Sequence, residues 1–464
     1  EEFLGYWRDL GVSYDLYTRT GTDTHRRVVQ DEFLILLKNG YLFEEAVEQF
    51  YDQKARRFLP DRYVEGTCPH CGYERARGDQ CENCGRLLDP IQLINPASKL
   101  TGERPVQRST THFFLDLPKL NQRLLDWARP MSHWRPNAYR FTLNFLEGGL
   151  QPRAVTRDLD WGVPVPVEGY EDKRIYVWIE ACTGYLSASV EWAERRGDPA
   201  GWQPWWKDPE ARQYYFIGKD NIPFHTVIWP AILMGRGDTI LPWDVPSNEY
   251  MNFGGAKASK SAGIGTTVPD LLKTLDPDPI RYYLTANAPE SADTDYSYDQ
   301  LVRRNNDELV ATWGNLVHRT LTFVQRYFDG RVPGDGATDP LVAERIDQTF
   351  TQITCQLEAV HFKETIRDVM ALAQFGNRYF DEKAPWRQVR EDTAQAGATI
   401  GTLLNLINAL KVLFAPFLPF SSARLHELLG YSDSLEAHGW ACSAVPSGQA
   451  LPTPTPLFAK IETT

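Results

Sequence analysis

The sequence predicts an α/β domain built on a parallel sheet, interrupted by a cysteine-knuckle insertion and followed by an all-α helix bundle. Three observations carry this. Between 151 and 250, short apolar runs alternate with helical segments, notably Ile175-Tyr176-Val177-Trp178-Ile179 and Gln213-Tyr214-Tyr215-Phe216-Ile217-Gly218. That is the pattern of buried parallel strands joined by helices. Two Cys-x-x-C pairs sit in a polar, Gly-containing stretch over 58–115. From about residue 300 onward nearly every segment keeps helical apolar spacing, as Leu309, Trp313, Leu316, Val317, Leu321 and Val324 do.

The elements follow in order. Residues 1–57 read as helix, short strand, helix, with helical spacing over 26–40 and a stop at Gly40. In 58–115, Cys68-Pro69-His70-Cys71 and Cys81-Glu82-Asn83-Cys84 form two tight turns separated by nine residues. Two such turns aim four thiolates at one point, the tetrahedron of structural zinc. All four positions are cysteine, so no catalytic water site is left open; unligated turns or a redox dithiol are the alternatives. His70 reads as a solvated turn residue. Residues 116–150 return to helical patterning. Past 300, three further helical segments lie near 341–360, 362–382 and 396–429, and 451–458 is extended.

A chain of 464 residues suggests about three domains. The net charge of −12 argues against a protein that coats DNA and leaves room for a local basic surface. No run of about 18 apolar residues is present, and no basic-then-apolar leader opens the chain. Of seven cysteines, Cys182, Cys355 and Cys442 are scattered, so the usage reads as a metal site in a reducing cytoplasm rather than a disulfide framework. The chain opens at Glu1 straight into helix-like sequence, which reads as a start inside a domain.

Three segments carry candidate chemistry. Lys257-Ala258-Ser259-Lys260-Ser261, after Gly254-Gly255, reads either as a solvated turn or as a cationic loop that closes on a polyphosphate. A Walker loop is nearly spelled out there, but Ser259 stands where its glycine belongs. Gly218-Lys219-Asp220-Asn221 through His225 follows an apolar strand, at the strand end where α/β sheets bind ligands. Gly218 admits close backbone approach. Asp220 suits a ribose hydroxyl, an ammonium group or a helix N-cap, and His225 suits the site or core packing. Trp178, Cys182 and Tyr185 fall at i, i+4 and i+7 if the strand gives way to a helix, which by periodicity alone favours core packing.

Together and in this order, these segments resemble methionyl-tRNA synthetases. The pentad looks like that family's KMSKS signature, with Ala258 in place of methionine. Gly218-Lys219-Asp220 with His225, and Tyr176-Val177-Trp178 through Gly184-Tyr185, resemble two further motifs. The knuckles followed by Ser109-Thr110-Thr111-His112-Phe113-Phe114 resemble the family's zinc-bearing connective insertion. Gly314-Asn315-Leu316-Val317-His318-Arg319 and Ala384-Pro385-Trp386 resemble its anticodon-reading elements.

The resemblance implies a Rossmann-type sheet lacking its first strand–helix unit. The implied layout is catalytic residues 1–57, the knuckle insertion at 58–115, the rest of the insertion and the second catalytic half at 116–250, a signature-loop and stem-contact region at 251–300, and an anticodon-binding helical domain at 301–464. It implies activation of methionine with ATP and transfer to methionine tRNA. Lys257 and Lys260 then stabilise departing pyrophosphate, and Gly218, Asp220 and Ser259 join them at ATP or the adenylate. Trp178, Cys182, Tyr185, Asn221 and His225 line the methionine pocket, although Cys182 and Asn221 stand where more apolar residues are frequent. Cys68, Cys71, Cys81 and Cys84 hold one structural zinc ion, Mg2+ accompanies ATP, and Asn315, Arg319 and Trp386 read the anticodon. No membrane or DNA partner is expected, and a monomer is expected.

None of the nine histidines forms the family's His-x-Gly-His signature. By the resemblance, on the order of 80 residues carrying it precede Glu1, and the chain alone is expected to be incomplete and weakly active or inactive. The rival readings are a related synthetase for leucine, isoleucine or valine, which the small insertion disfavours, and a non-catalytic tRNA-binding protein derived from a synthetase.

Overall fold

The computed structural model describes residues 2–78, 81, 83–84, 88–257 and 265–462. They form two compact units, Asp15–Ser247 and Glu1–Tyr14 with Asn248–Thr464.

In the Asp15–Ser247 unit, the helix Asp23–Lys38 starts where the Thr22 side chain accepts the His25 N–H and buries Val28, Val29, Phe33 and Leu36. It packs against the helix Val177–Arg195. The strand Leu42–Asp52 then pairs antiparallel with Val106–Leu115, from Leu42 opposite Leu115 to Tyr51 opposite Val106. Arg57–Phe58 and Arg153–Ala154 flank this ribbon, and the cysteine knuckles lie on the chain between its two long strands.

Two sequence expectations change here. Residues 1–57 run helix, helix, long strand, not helix, strand, helix. The segment Leu42–Asp52 is rich in glutamate, which favours helix, but ten cross-strand pairs outweigh that local preference. Ile175–Ile179 is not a strand: only Arg174–Ile175 is, and the helix begins at Val177. From there Ile179, Cys182, Thr183, Leu186 and Val190 bury one helical face. Short apolar runs do not by themselves separate a buried strand from a helix start. The Gln213–Gly218 run is regular strand only at Ile217–Gly218. Its parallel sense holds, since Tyr214 bridges Asp244 in parallel and the Ile217 N–H donates to the Pro246 carbonyl.

In the second unit, Met251–Phe253 turns back on Ala256–Lys257 and pairs in parallel with Thr294–Tyr296. The two-residue turn is Gly254-Gly255, with φ of 59° and 77°. Two consecutive positive φ values define a type I′ turn, where glycine carries no Cβ penalty. The Gly255 N–H donates to Asp295 Oδ1.

The helix bundle follows: Tyr298–Arg304, a π-helical stretch Asn305–Gly314, Asn315–Tyr327, Pro340–Glu358, Phe362–Lys383, Pro385–Glu391, Thr393–Phe414 and Pro419–Leu428. The segment expected to be continuous over 396–429 breaks at 415–418, beside Pro416 and Pro419. Arg281 holds the break by donating to the Pro416 and Phe417 carbonyls. Thr393–Phe414 is long and apolar enough to cross a membrane by composition, but 94% of that window is buried in the protein. It is the bundle's central helix, packed through Leu403, Leu406, Ile407 and Leu410.

Candidate active site

His225 lies on a π-helical turn, Phe224–Ile228. Such widened turns reorient side chains and recur at functional sites. Its Nδ1 donates to the Asn221 carbonyl at 2.9 Å, which leaves Nε2 as an acceptor for the Tyr185 hydroxyl at 2.6 Å. Burial lowers the His225 pKa from its ordinary 6.5, against the Asn221 hydrogen bond, so the ring is neutral. Burial raises the Tyr185 phenol to about 12, so it keeps the proton it donates.

Tyr185 packs edge-on against Tyr215 at 4.8 Å, and Tyr215 accepts from Trp229 Nε1 while donating to Gln213 Oε1. Tyr185 is still 39% exposed, so one face of this aromatic group is open to a ligand. Trp178 packs edge-on with Phe224 at 5.0 Å, next in sequence to His225, and the Arg153 guanidinium lies over the Trp178 ring at 5.5 Å.

The helix that carries Trp178 and Tyr185 is fixed from behind. His25 Nε2 meets Glu180 Oε1 at 2.9 Å and its Nδ1 meets Ser187 Oγ at 2.8 Å. Cys182 is buried on the core face, and burial lifts its thiol to about 12, so it is a neutral packing group. The helix between 177 and 185 therefore divides its labour, with Cys182 inward and Tyr185 outward.

Gly218 precedes a single 3-10 turn, Lys219–Asn221. A Cβ at Gly218 would lie 3.0 Å from Asp220 Oδ1, so glycine leaves room for that carboxylate. The residue preceding the turn is Gly218, with no side-chain cap, so Asp220 does not cap it and is exposed. Asn221 connects to His225 through its backbone carbonyl rather than its side chain.

The type I′ hairpin delivers Lys257 at the end of its second strand. Ala258, Ser259, Lys260 and Ser261 lie outside the described residues.

Cys68 Sγ lies 3.9 Å from Cys84 Sγ, and Cys71 Sγ lies 3.6 Å from Cys81 Sγ. The four sulfurs converge and can hold a metal ion. A backbone hydrogen bond from Tyr73 and one from the Asn83 side chain bring the Cys71 thiol down to about 6, which favours the metal-binding thiolate. His70 is exposed, and its N–H points to Cys68 Sγ at 3.4 Å.

In the bundle, Arg319 lies over the Phe380 ring at 4.2 Å and pairs with Asp381, while Phe380 stacks on Trp386 at 5.9 Å. Asn315 contacts the Asn377 side chain at 3.4 Å. Arg319 and Trp386 thus flank one aromatic ring. Sequence reasoning missed Phe380, Asn377 and Asp381 here, and Tyr215, Trp229 and His25 at the pocket. The signal for Tyr215 and Trp229 was only their aromatic character beside His225; nothing local marked His25 as a partner of Glu180, 155 residues away.

Because only the neutral ring meets the Tyr185 hydroxyl as an acceptor, the His225 titration is diagnostic. An NMR titration should place its pKa below 6.5 with the proton on Nδ1 at neutral pH. A depressed histidine pKa costs stability as pH falls below 6.5, where the unfolded chain takes up the proton first, and costs nothing well above it. A pKa at or above 6.5 contradicts the buried acceptor geometry.

A family model described as tRNA synthetases class I (M) matches residues 1–321. One described as the anticodon binding domain of methionyl tRNA ligase matches 332–464. The chain is 51% identical over 490 aligned positions to a methionine--tRNA ligase of Thermomicrobium roseum, covering 99% of this chain and 84% of the relative. It is 50% identical to one from Dehalococcoides mccartyi, covering 100% and 84%. The fold matches the Mycobacterium tuberculosis methionyl-tRNA synthetase in complex with methionyl-adenylate, with a TM-score of 0.77, 25% identity and coverage of 98% of this chain and 85% of that one. The chain belongs to the class I methionyl-tRNA synthetases.

Proposed function

We propose that this protein joins L-methionine to ATP, giving methionyl-adenylate and pyrophosphate, and then passes the methionyl group to the terminal ribose of methionine tRNA. The observation that carries this reading is the agreement with methionine--tRNA ligases along nearly the whole chain, through both the class I region and the anticodon-binding region.

The first step is attack of the methionine carboxylate on the α-phosphorus with loss of pyrophosphate, and the second is attack of the tRNA ribose hydroxyl on the activated carbonyl with loss of AMP. Protein catalysis of the first step is chiefly positioning and charge stabilisation. In this reading Tyr185, Trp178 and His225 receive the side chain, with Tyr215 and Trp229 behind Tyr185. Aromatic walls suit a thioether, because sulfur–ring contacts are favourable. Cys182 and the Asn221 backbone support that wall. Asp220 holds the amino acid's ammonium group or the adenylate ribose, and Gly218 lets the nucleotide approach. Lys257 and Lys260, with Ser259, neutralise the departing pyrophosphate, whose charge Mg2+ shares.

The four knuckle cysteines take one structural zinc ion. Zn–S bonds of about 2.3 Å give a tetrahedral S–S edge of roughly 3.8 Å, and the Cys68–Cys84 and Cys71–Cys81 sulfurs lie 3.9 and 3.6 Å apart. Asn315, Arg319 and Trp386 form the anticodon contact, in which Trp386 stacks on a base and Arg319 and Asn315 hydrogen-bond. The reduced cysteine chemistry suits the cytoplasm.

In the full-length protein, ATP–pyrophosphate exchange should depend on methionine, and dependence on another amino acid would falsify the assignment. Lys260→Ala should lower the exchange rate by roughly 10²–10³-fold with methionine affinity nearly unchanged; an unaltered rate removes Lys260 from the first step. Trp386→Ala should cut tRNA charging efficiency by about 10- to 100-fold, the worth of one base stack, and leave exchange intact. Equal losses in both assays would place Trp386 outside anticodon recognition.

A further inference from the structure

We propose, resting on the pyrophosphate role given to Lys257 above, that Asp295 is a positioning residue for methionine activation: its carboxylate sets the direction in which the Gly254-Gly255 hairpin delivers Lys257. The hairpin does not hold that direction alone. Among the described residues, Asn252 opposite Lys257 and Phe253 opposite Ala256 are the pairs across it, and a two-stranded ribbon that short is marginal in water. Its turn is two glycines at φ of 59° and 77°, the residue type with the widest backbone freedom.

Asp295 supplies a hold from outside the hairpin. It lies on the parallel neighbour Thr294–Tyr296, opposite Asn252, and its Oδ1 accepts the Gly255 N–H at 2.9 Å, on the turn itself. A carboxylate acceptor makes such a bond about twice as strong as a neutral one does. Two residues earlier, Asp293 Oδ1 accepts the Tyr250 N–H at 2.9 Å. The two carboxylates therefore grip the strand Met251–Phe253 just before its start and just past its end.

Asp295 is itself fixed. Asn287 Nδ2 donates to its carbonyl at 3.0 Å, and the Tyr283 hydroxyl donates to the same carbonyl at 3.4 Å. Tyr283 is fully buried on the helix Pro277–Ala286, and its oxygen accepts the Ser297 N–H at 2.8 Å. Tyr296 stands edge-on to the Tyr283 ring at 5.5 Å and packs on Phe253 at 5.2 Å. Asp295 thus ties a glycine turn to a buried tyrosine, while remaining exposed and adding nothing to the core. Lys257 lies two residues past Gly255, so a swing of the turn moves it directly.

Methionine-dependent ATP–pyrophosphate exchange by the full-length protein tests this. Asp295→Ala should lower kcat about 10-fold, the worth of a charge-assisted hydrogen bond, with the KM for methionine and the melting temperature unchanged. Asp295→Asn keeps an oxygen that accepts the Gly255 N–H and should recover to within about threefold of wild type. In a double variant with Lys257→Ala, removing Asp295 should slow exchange little beyond Lys257→Ala alone, because the carboxylate acts through that lysine. An unchanged kcat in Asp295→Ala, with Lys257→Ala impaired, overturns the positioning role alone. Unchanged rates in both single variants overturn the pyrophosphate reading as well. Losses that multiply in the double variant also overturn the role, as does a fall in kcat that comes with a lower melting temperature and is not rescued by asparagine.

Discussion

The pocket depends on one hydrogen-bond chain, from the Asn221 carbonyl through the His225 ring to the Tyr185 hydroxyl. It works in a fixed direction. The carbonyl can only accept, so Nδ1 must carry the proton, and Nε2 must then accept from the phenol. Burial keeps the imidazole neutral and the phenol protonated, so both ends hold their roles through physiological pH. The widened turn at Phe224–Ile228 presents His225 to this chain, and the helix Val177–Arg195 presents Tyr185.

That helix is in turn held by His25, which touches Glu180 and Ser187 seven residues apart and pins two turns at once. A site of this kind needs its side chains held to within a fraction of an ångström, which supporting contacts supply. The cysteine insertion meets the opposite demand. Its own core is small, built on Phe50, Leu59, Val64, Ala76 and Leu93 with the buried Cys68 and Cys81. So few apolar groups hold a segment weakly, and the four converging sulfurs beside them can hold a metal ion.

The sequence made the chemistry legible where the signal was short-range. Cysteine spacing and the Gly-Gly turn before Lys257 are local patterns that the described geometry follows, whereas the i, i+4, i+7 spacing of Trp178, Cys182 and Tyr185 points to one shared face that the structure does not keep. Within that last trio Cys182 turned inward, because a helical face is assigned by what packs against it. The Val177 helix start reads as a strand because Ile175 to Ile179 is a short unbroken apolar run, which pattern alone does not separate from a helix start. The Leu42–Asp52 strand was missed because its pairing partner lies more than 50 residues on. His25 with Glu180, and Phe380 between Arg319 and Trp386, are long-range partnerships with no mark in either segment.

The central claim is that Tyr185 and His225 act as one unit in holding methionine. A double-mutant cycle with Tyr185→Phe and His225→Gln, read as methionine affinity by calorimetry on the full-length protein, tests it most directly. The account predicts strongly non-additive losses, with a coupling of about 1 kcal/mol or more. Losses that add to within about 0.3 kcal/mol would show that the two side chains act independently and contradict the account.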